Sequence, residues 1–201
     1  RPGGQLGFET PIRYLSVPDH AQVSKPLGSR LDPFTGVMEP HRMIKSEAEL
    51  DRMRAASRAV EAGMANALKT IAPGKTDNDL AAALYEGSIA AGSEYIGHPP
   101  MVVAGPRSAL CFALWKRKTI ETGDVVLLEG AGCVDRYHTM MSRSAVVGKA
   151  TAIHKETAEA LTEILETAID CIKPGVTSGD VDAACRSKVE RRGLGPFFKS
   201  R

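Results

Sequence analysis

The sequence lacks several features that would place a protein in a functional class. Its 201 residues contain no apolar run near the ~18 residues of a membrane span. Lysine and arginine (26) nearly balance aspartate and glutamate (24), so no charge excess indicates a nucleic-acid partner. Its four cysteines form no CxxC pair, which favours reduced thiols in a cytoplasmic protein over disulfides or a zinc site.

The apolar content is sufficient for one hydrophobic core. Hydrophobic residues make up 43% of the chain and charged residues 25%. Proline and glycine interrupt residues 1–43 so often that we expect only short strands there, near Leu6–Phe8 and residues 12–15. We therefore predict a linker or remnant of an N-terminal domain over residues 1–43, and one domain over residues 44–201.

Two helices are predicted from capping patterns. Ser46, with Glu49 three residues later, predicts the start of the first helix. Thr76 with Asp79 predicts the start of the second, and Gly92 its end. The inward-facing residues are predicted to be Leu50, Met53, Val60, Met64 and Leu68 in the first helix, and Leu80, Ala83, Leu84 and Ala91 in the second.

The densest set of chemically reactive side chains lies between Gly123 and Gly148. Met101–Ala104 predicts a strand before this stretch, and residues 125–128 and 144–147 predict two strands within it. We expect a polar crossing segment to join the last two strands. The stretch contains Glu129, Cys133, Asp135, Arg136, Tyr137, His138 and Arg143.

The sequence contains an internal repeat. The segment from Ile71 matches the segment from Ile172 at a constant offset of 101, with eight of 22 positions identical, where composition gives roughly one or two by chance. Residues 153–172 form another amphipathic pattern, with one stripe of Ala158, Leu161, Leu165, Ala168 and Ile169. A duplicated helix-helix-strand unit, with halves at about 46–104 and 150–201, explains the match. Two hairpins with independently acquired caps remain the alternative.

These features resemble the pita-bread fold of creatinase, aminopeptidase P and methionine aminopeptidase. The resemblance covers residues 44–201 and rests on IKSEAEL, AGPRSAL, Gly123-Asp124, AGCVDRYH and SRS. It implies an α+β fold with duplicated helix-helix-strand halves around a central antiparallel sheet, without the last strands. We expect such a domain to be marginally stable alone and to associate through an open sheet edge. The AGC, RYH and SRS segments most resemble the metal-independent branch typified by creatinase and ectoine hydrolase.

The resemblance also implies roles for individual positions. Metal-dependent relatives carry two aspartate ligands where this chain has Glu129 and Met140, and their other ligands lie beyond Arg201. Because a thioether is a poor ligand for such ions, we expect neither a metal nor another cofactor. The proton-transfer histidine of the metal-independent branch falls at Phe112, and another family histidine falls at Ser200.

Glu129 and His138 are the candidate catalytic residues. Glu129, at a strand end, would hold a cationic nitrogen; an ion pair with Arg143 or Arg107 is the alternative. His138 is either the proton-transfer group or a hydrogen-bonded packing residue.

The candidate substrate-binding residues are Arg136, Tyr137, Arg143 and Arg107. Arg136 and Arg143 suit a carboxylate, although outward-facing arginines are common. Cys133 is read as a packing residue, with a nucleophile as the alternative. The His98-Pro99-Pro100 segment is read as a turn before a strand, with substrate gating as the alternative.

Three functions remain open. The first is hydrolysis of a carbon–nitrogen bond in a small amidine or amide bearing a carboxylate, by a creatinase-like homodimer. The second is a catalytically inactive pita-bread scaffold, which the residues at Phe112, Met140 and Ser200 favour. The third is a metal-dependent Xaa-Pro peptidase, which Met140 disfavours. The expected partner is a small amino-acid-like molecule, not nucleic acid or a membrane.

Overall fold

The computed structural model describes residues 4–8, 16–95, 98–110 and 112–198. The chain divides into two compact units, residues 1–54 and 55–201. Among the helices of these described ranges, none is both long and apolar enough to cross a membrane.

The first unit contains more regular structure than its prolines suggest. It comprises β1 (Leu6–Phe8), α1 (Val17–Leu27), β2 (Leu31–Pro33) and α2 (Met38–Met43), with β1 and β2 paired in parallel. The strand expected at β1 is present, and residues 12–15 lie outside the described ranges. The expectation of an otherwise irregular segment was wrong.

Helix α1 forms although it contains two prolines. Pro18 lies in the first turn, where a missing N–H breaks no intrahelical hydrogen bond, whereas Pro26 lies inside the last turn, where proline is unfavourable, and the helix ends one residue later. Ser16 caps the helix by accepting a hydrogen bond from the Asp19 N–H at 3.3 Å.

Helices α3 (Glu47–Thr70) and α4 (Asp77–Ala90) begin at the predicted caps. The Ser46 N–H donates to Glu49 Oε2 at 2.7 Å, and Thr76 forms a complete capping box with Asp79. Val60 and Met64 are buried as predicted, whereas Leu68 is exposed. Ala91 is also exposed, because it follows the last residue of α4.

Small residues, absent from the predicted stripe of α3, allow α3 and α4 to pack closely. A Cβ on Gly63 would lie 2.5 Å from the Leu84 carbonyl oxygen, and one on Gly87 would lie 2.9 Å from Gly63 Cα. The remaining buried positions of α3 are Ala56, Ala59 and Ala67.

Three antiparallel strands form the central sheet in the order β3-β4-β5: β3 (Met101–Ala104), β4 (Val125–Val134) and β5 (Tyr137–Val146). The predicted β3 is confirmed, but the predicted crossing segment is absent, because β4 and β5 extend through it as a hairpin. Only Asp135 and Arg136 form the turn, both with positive φ (49° and 66°), as a type I′ turn requires.

In the second half of β4, glycines occupy the buried positions at which alternating apolar side chains would have indicated a strand. Val126 and Leu128 face the helices, and Gly130 and Gly132 continue that face. A Cβ on Gly132 would lie 2.1 Å from the Ala56 carbonyl oxygen, so α3 approaches the sheet closely there. An alternating apolar signal is therefore missing where the strand continues. The core between helices and sheet contains Met64, Ala67, Leu80, Ala81, Leu84, Val102, Ala104, Ile120, Val126, Leu128 and Val147.

Helices α5 (Ala152–Cys171) and α6 (Ser178–Arg191) repeat the α3–α4 hairpin. Thr177 and Asp180 form the second capping box, and Gly175 (φ 89°) matches Gly74 (φ 88°). The predicted apolar stripe of α5 is not buried; Leu161, Leu165 and Ile169 are 53%, 60% and 60% exposed. Helix α5 packs chiefly against α6, and its buried residues are Ala160 and Ile164.

Candidate active site

The sheet register places the two candidate catalytic residues on one face. Residues directly opposite each other in antiparallel strands point to the same side. Glu129 and His138 therefore lie on the face turned away from α3 and α4, with Met140 between them. The opposed pairs are Glu129 with Ser142, Ala131 with Met140, and Cys133 with His138.

Glu129 lies beside an imidazole that the sequence prediction treated as part of a turn. Its Oε1 is 3.9 Å from His98 Nε2, and the two side chains are 21% and 30% exposed. His98 Nδ1 lies 2.8 Å from the Pro99 carbonyl oxygen. Because a carbonyl oxygen only accepts, this contact requires a proton on Nδ1, which both one neutral tautomer and the imidazolium provide.

Neither arginine proposed as an ion-pair partner of Glu129 pairs with it. The Arg143 guanidinium donates to the Ser142 carbonyl oxygen at 2.7 Å. The Arg107 Nη1 lies 3.6 Å from Oδ2 of the fully buried Asp77. Asp77 also accepts backbone hydrogen bonds from Lys116 and Lys118, so this carboxylate links the segment before β4 to the start of α4.

Two cavities share the lining residues His98 and Ala131. The larger, about 420 Å³, lies between the last turns of α4 and the segment before β3. The smaller, about 210 Å³, lies over β5. The larger cavity is lined by Leu84, Tyr85, Ser88, Ile89, Ser93, Glu94, Tyr95, His98, Pro100 and Ala131, and the smaller by His98, Ala131, His138, Thr139 and Met140.

Arg136 contacts two residues that line the larger cavity. Its guanidinium is 3.2 Å from Glu94 Oε1 and stacks over the Tyr95 ring, 4.5 Å from the ring centre. Both partners line the cavity. A cation is therefore held beside this space, although its charge is already paired.

The other two candidate substrate-binding residues on β5 lie on the opposite face from Glu129. Tyr137 stands opposite Val134, and Arg143 opposite Leu128. The register therefore does not bring them together with Glu129 and His138. Their roles, like that of Arg107, stay predictions.

The described residues do not fit a divalent metal. Met140 lies opposite Ala131, not Glu129, and its side chain is 64% exposed. Across the described ranges, no three His, Cys, Asp or Glu side chains come together in a metal-binding group. One carboxylate and a thioether do not form a site for a hard cation.

The position of the expected proton-transfer histidine lies on the surface. Phe112 is 81% exposed and has a positive φ of 57°. Ser200, at the second such position, lies outside the described residues. Sequence reasoning missed His98 as the imidazole near Glu129. The signal was its place three residues before Met101, which pairs with Glu129 across β3 and β4.

Comparison with known proteins places the chain among peptidases and related hydrolases. The sequence profile described as metallopeptidase family M24 matches residues 51–201. A hydrolase/peptidase of Sinorhizobium fredii is 30% identical over 94% of this chain and 50% of its own length. The ectoine hydrolase of Halomonas elongata is 26% identical over 95% of this chain and 50% of its own length.

Solved structures agree with this placement. The Xaa-Pro dipeptidase of Bacillus anthracis superposes with a TM-score of 0.90 and 26% identity, covering 98% of this chain and 55% of that one. The predicted pita-bread fold with mixed helices and an antiparallel sheet is confirmed. The chain spans about half the length of the curated relatives it matches. Several of the relatives are named Xaa-Pro dipeptidase. The comparisons therefore support membership of the family, but they do not support the predicted placement in its metal-independent branch.

Proposed function

Because the chain belongs to metallopeptidase family M24, we propose that it is a hydrolase acting on a carbon–nitrogen bond of a small substrate bearing a carboxylate. The observation that carries this proposal is the Glu129 carboxylate, whose side chain is 21% exposed and lies 3.9 Å from the ring of His98, a residue that lines both cavities. A carboxylate in such a place favours a cationic or polarised nitrogen group.

The substrate class we propose first is an amidine or amide that requires no metal. Glu129 binds its cationic nitrogen, and His138, which lines the smaller cavity, is the proton-transfer group. Hydrolysis adds water to the central carbon, and the leaving nitrogen takes a proton as its bond to that carbon breaks. Arg136, which contacts the cavity-lining residues Glu94 and Tyr95, is the proposed partner of the substrate carboxylate.

A second candidate is hydrolysis of an Xaa-Pro dipeptide. Relatives in Pyrococcus furiosus and Bacillus anthracis carry the name Xaa-Pro dipeptidase, which favours this substrate. The exposed Met140 thioether disfavours a metal-dependent version of it. An inactive scaffold is the outcome if neither class of substrate binds.

Calorimetric titration separates these candidates. The metal-free chain is titrated with ectoine, creatine and a proline dipeptide, and each titration is repeated with added manganese. Metal-independent binding of ectoine or creatine that Glu129→Gln abolishes supports the first proposal. Manganese-dependent binding of the dipeptide supports the second. Glu61→Gln, which removes an exposed carboxylate on α3, is the matched control. Failure of every ligand to bind folded protein rejects both.

We also propose that the chain forms a homodimer in a reducing, cytoplasmic compartment. Within the described ranges β5 is an edge strand, and α5 exposes Leu161 and Leu165, two features that favour self-association. Cys133, Cys171 and Cys185 are free thiols. Sedimentation equilibrium tests the dimer, which Leu165→Glu should weaken. A cooperatively melting monomer at all concentrations contradicts it.

A further inference from the structure

We propose that Ala131, in the second half of β4, binds the main chain of an extended peptide through its own N–H and C=O groups. One residue of the peptide pairs with Ala131 as a further strand would, at the edge of β4 where β3 has stopped. This binding is independent of the proposed hydrolysis and requires no turnover.

Hydrogen bonds near the end of β4 establish which way the main-chain groups of Ala131 point. The Cys133 N–H donates to Ser93 Oγ at 3.0 Å, and the Cys133 carbonyl oxygen accepts from the Glu94 N–H at 3.0 Å. Both groups of Cys133 therefore point away from β5. Because successive residues of an antiparallel strand direct these groups to alternate sides, Ala131 directs its N–H and C=O to the same side as Cys133.

Strand β3 does not extend far enough to pair with Ala131. The register pairs Met101 with Glu129, so Pro99 occupies the position that would stand opposite Ala131. A proline has no N–H to donate to the Ala131 carbonyl oxygen. Within the described ranges, no hydrogen bond joins Ala131 to a residue on this side of β4. An N–H and a C=O without partners at a strand edge are a template for an added strand.

The segment between Glu94 and Met101 is too long to run alongside β4, which leaves room beside Ala131. Glu94 lies seven residues before Met101, whereas Cys133, which it contacts, lies only four residues after Glu129. The excess corresponds to about 10 Å of extended chain. The cavity of about 420 Å³ is lined both by Ala131 and by residues of this segment. Its volume lies within the range of roughly 300–1,000 Å³ that is typical of ligand pockets.

The walls of this cavity suit an uncharged, apolar residue. Leu84, Ile89 and Pro100 supply apolar surface. The one carboxylate in its lining, that of Glu94, already accepts hydrogen bonds from the Arg136 N–H and guanidinium at 3.1 and 3.2 Å. The complementary ligand therefore has a free N–H, a free C=O and an apolar side chain, as an internal residue of an extended peptide has.

N-acetyl-L-leucine amide, which contains one such residue, tests the proposal by NMR with ¹⁵N-labelled chain. In the free protein, we expect the Ala131 amide to exchange its hydrogen faster than Gly130 and Gly132, whose N–H groups point toward β5. The ligand should shift the Ala131 amide resonance and slow its exchange. N-acetyl-N-methyl-L-leucine amide lacks the donor and should bind about three- to ten-fold more weakly, as expected for the loss of one neutral hydrogen bond.

A pair of matched variants tests the position of the ligand. Ile89→Trp places a larger side chain in the wall of the cavity and should weaken binding at least ten-fold. Ile153→Trp alters an isoleucine of α5 that is similarly exposed (68%, against 58% for Ile89) but lines neither cavity, so it should leave binding unchanged. Thermal melting of both variants verifies that they are folded.

Four outcomes would each overturn the inference. They are an Ala131 amide as protected in the free protein as Gly130 and Gly132, no shift of its resonance with ligand, equal binding of the N-methylated ligand, and equal binding by Ile89→Trp and wild type. If ectoine or creatine binds while N-acetyl-L-leucine amide does not, the proposed function stands and only the peptide site is lost.

Discussion

The hairpins α3–α4 and α5–α6 have the same capping boxes and turn glycines, but different surroundings. The first lies against the three-stranded sheet, whereas the second, in the described residues, packs chiefly on itself. At positions 101 residues apart, Val60 is fully buried and Leu161 is 53% exposed, and Met64 and Leu165 are 2% and 60% exposed. An apolar stripe therefore specifies a face of a helix, but the sheet decides whether that face becomes core.

The contact between the two helices also differs between the hairpins, because only the first hairpin lies against the sheet. In the first, Gly63 and Gly87 let the helices approach each other closely. In the second, Ile164 and Lys188 occupy the matching positions, and Glu163 binds Lys188 and Arg192. Close packing against a sheet thus goes with small residues, and an uncovered hairpin goes with ion pairs on its surface. Three pairs of changes and one single change test this comparison.

The largest difference in the free energy of unfolding is expected between the variants Met64→Ala and Leu165→Ala. Truncating a buried methionine lowers the free energy of unfolding by about 2–5 kcal/mol. In the monomer the exposed Leu165 should change it by no more than about 0.5 kcal/mol, and a larger loss is expected only where the proposed homodimer covers this side chain. Urea denaturation at several protein concentrations measures both. An equal loss for Leu165→Ala would show that its face is covered in solution, and a concentration dependence would identify a second copy as the cover.

A smaller difference in stability is expected between the variants Gly63→Ala and Gly179→Ala. A Cβ on Gly63 meets the Leu84 carbonyl oxygen, so overpacking should destabilise the fold by about 1–3 kcal/mol. A Cβ on Gly179 lies 3.6 Å from Thr177 Oγ1, an ordinary contact, so alanine should stabilise α6 by up to about 1 kcal/mol. Thermal melting compares them, and destabilisation by both would contradict the difference in packing.

The two capping boxes allow a more local comparison. Thr76→Ala and Thr177→Ala each remove a side-chain cap, which costs about 1 kcal/mol at either helix. Because α4 is part of the core, the first change should lower stability throughout the second unit. The second should raise amide hydrogen exchange mainly in α6. Equal global effects would indicate that the hairpins unfold as one unit.

The smallest effect expected is a dependence on acidic pH in the second hairpin. Hydrogen bonds from Lys188, then Arg192, lower the pKa of Glu163 from 4.5 to about 2. Its ionised form is favoured in the folded state, so this contribution is complete above about pH 4.5 and is lost as the pH falls toward 2. Glu163→Gln should reduce the acid sensitivity of amide exchange in α5 and α6. An unchanged profile would show that the pairs do not stabilise the hairpin.

The fold was largely readable because its signals are local. The caps at Ser46 and Thr76 and the strand at Met101–Ala104 each depend on residues close together in the chain. The repeat is visible because two segments of the sequence match without a gap. The hairpin of β4 and β5 was misread because Gly130 and Gly132 carry no side chains to mark the buried face. Helix α1 was missed because its prolines were counted without their positions.

The candidate site was only partly readable from sequence. Glu129 was identified because a carboxylate directly after an apolar strand requires an explanation. His98 could not be assigned to it, because their proximity depends on the pairing of Met101 with Glu129. The arginines were grouped by sequence proximity, yet the period of two in a strand sends Arg143 to the other face.

The sequence by itself determined where α3 and α4 begin, that the chain contains two copies of one hairpin, and that Glu129 is a candidate functional carboxylate. Only the tertiary structure decided which apolar stripe is buried, which side chains share a face of the sheet, and which imidazole lies beside Glu129. The physical reason is the separation along the chain over which each interaction acts. Caps and propensities act between neighbours in the chain, whereas burial and the partners of a buried charge depend on segments that meet only after folding.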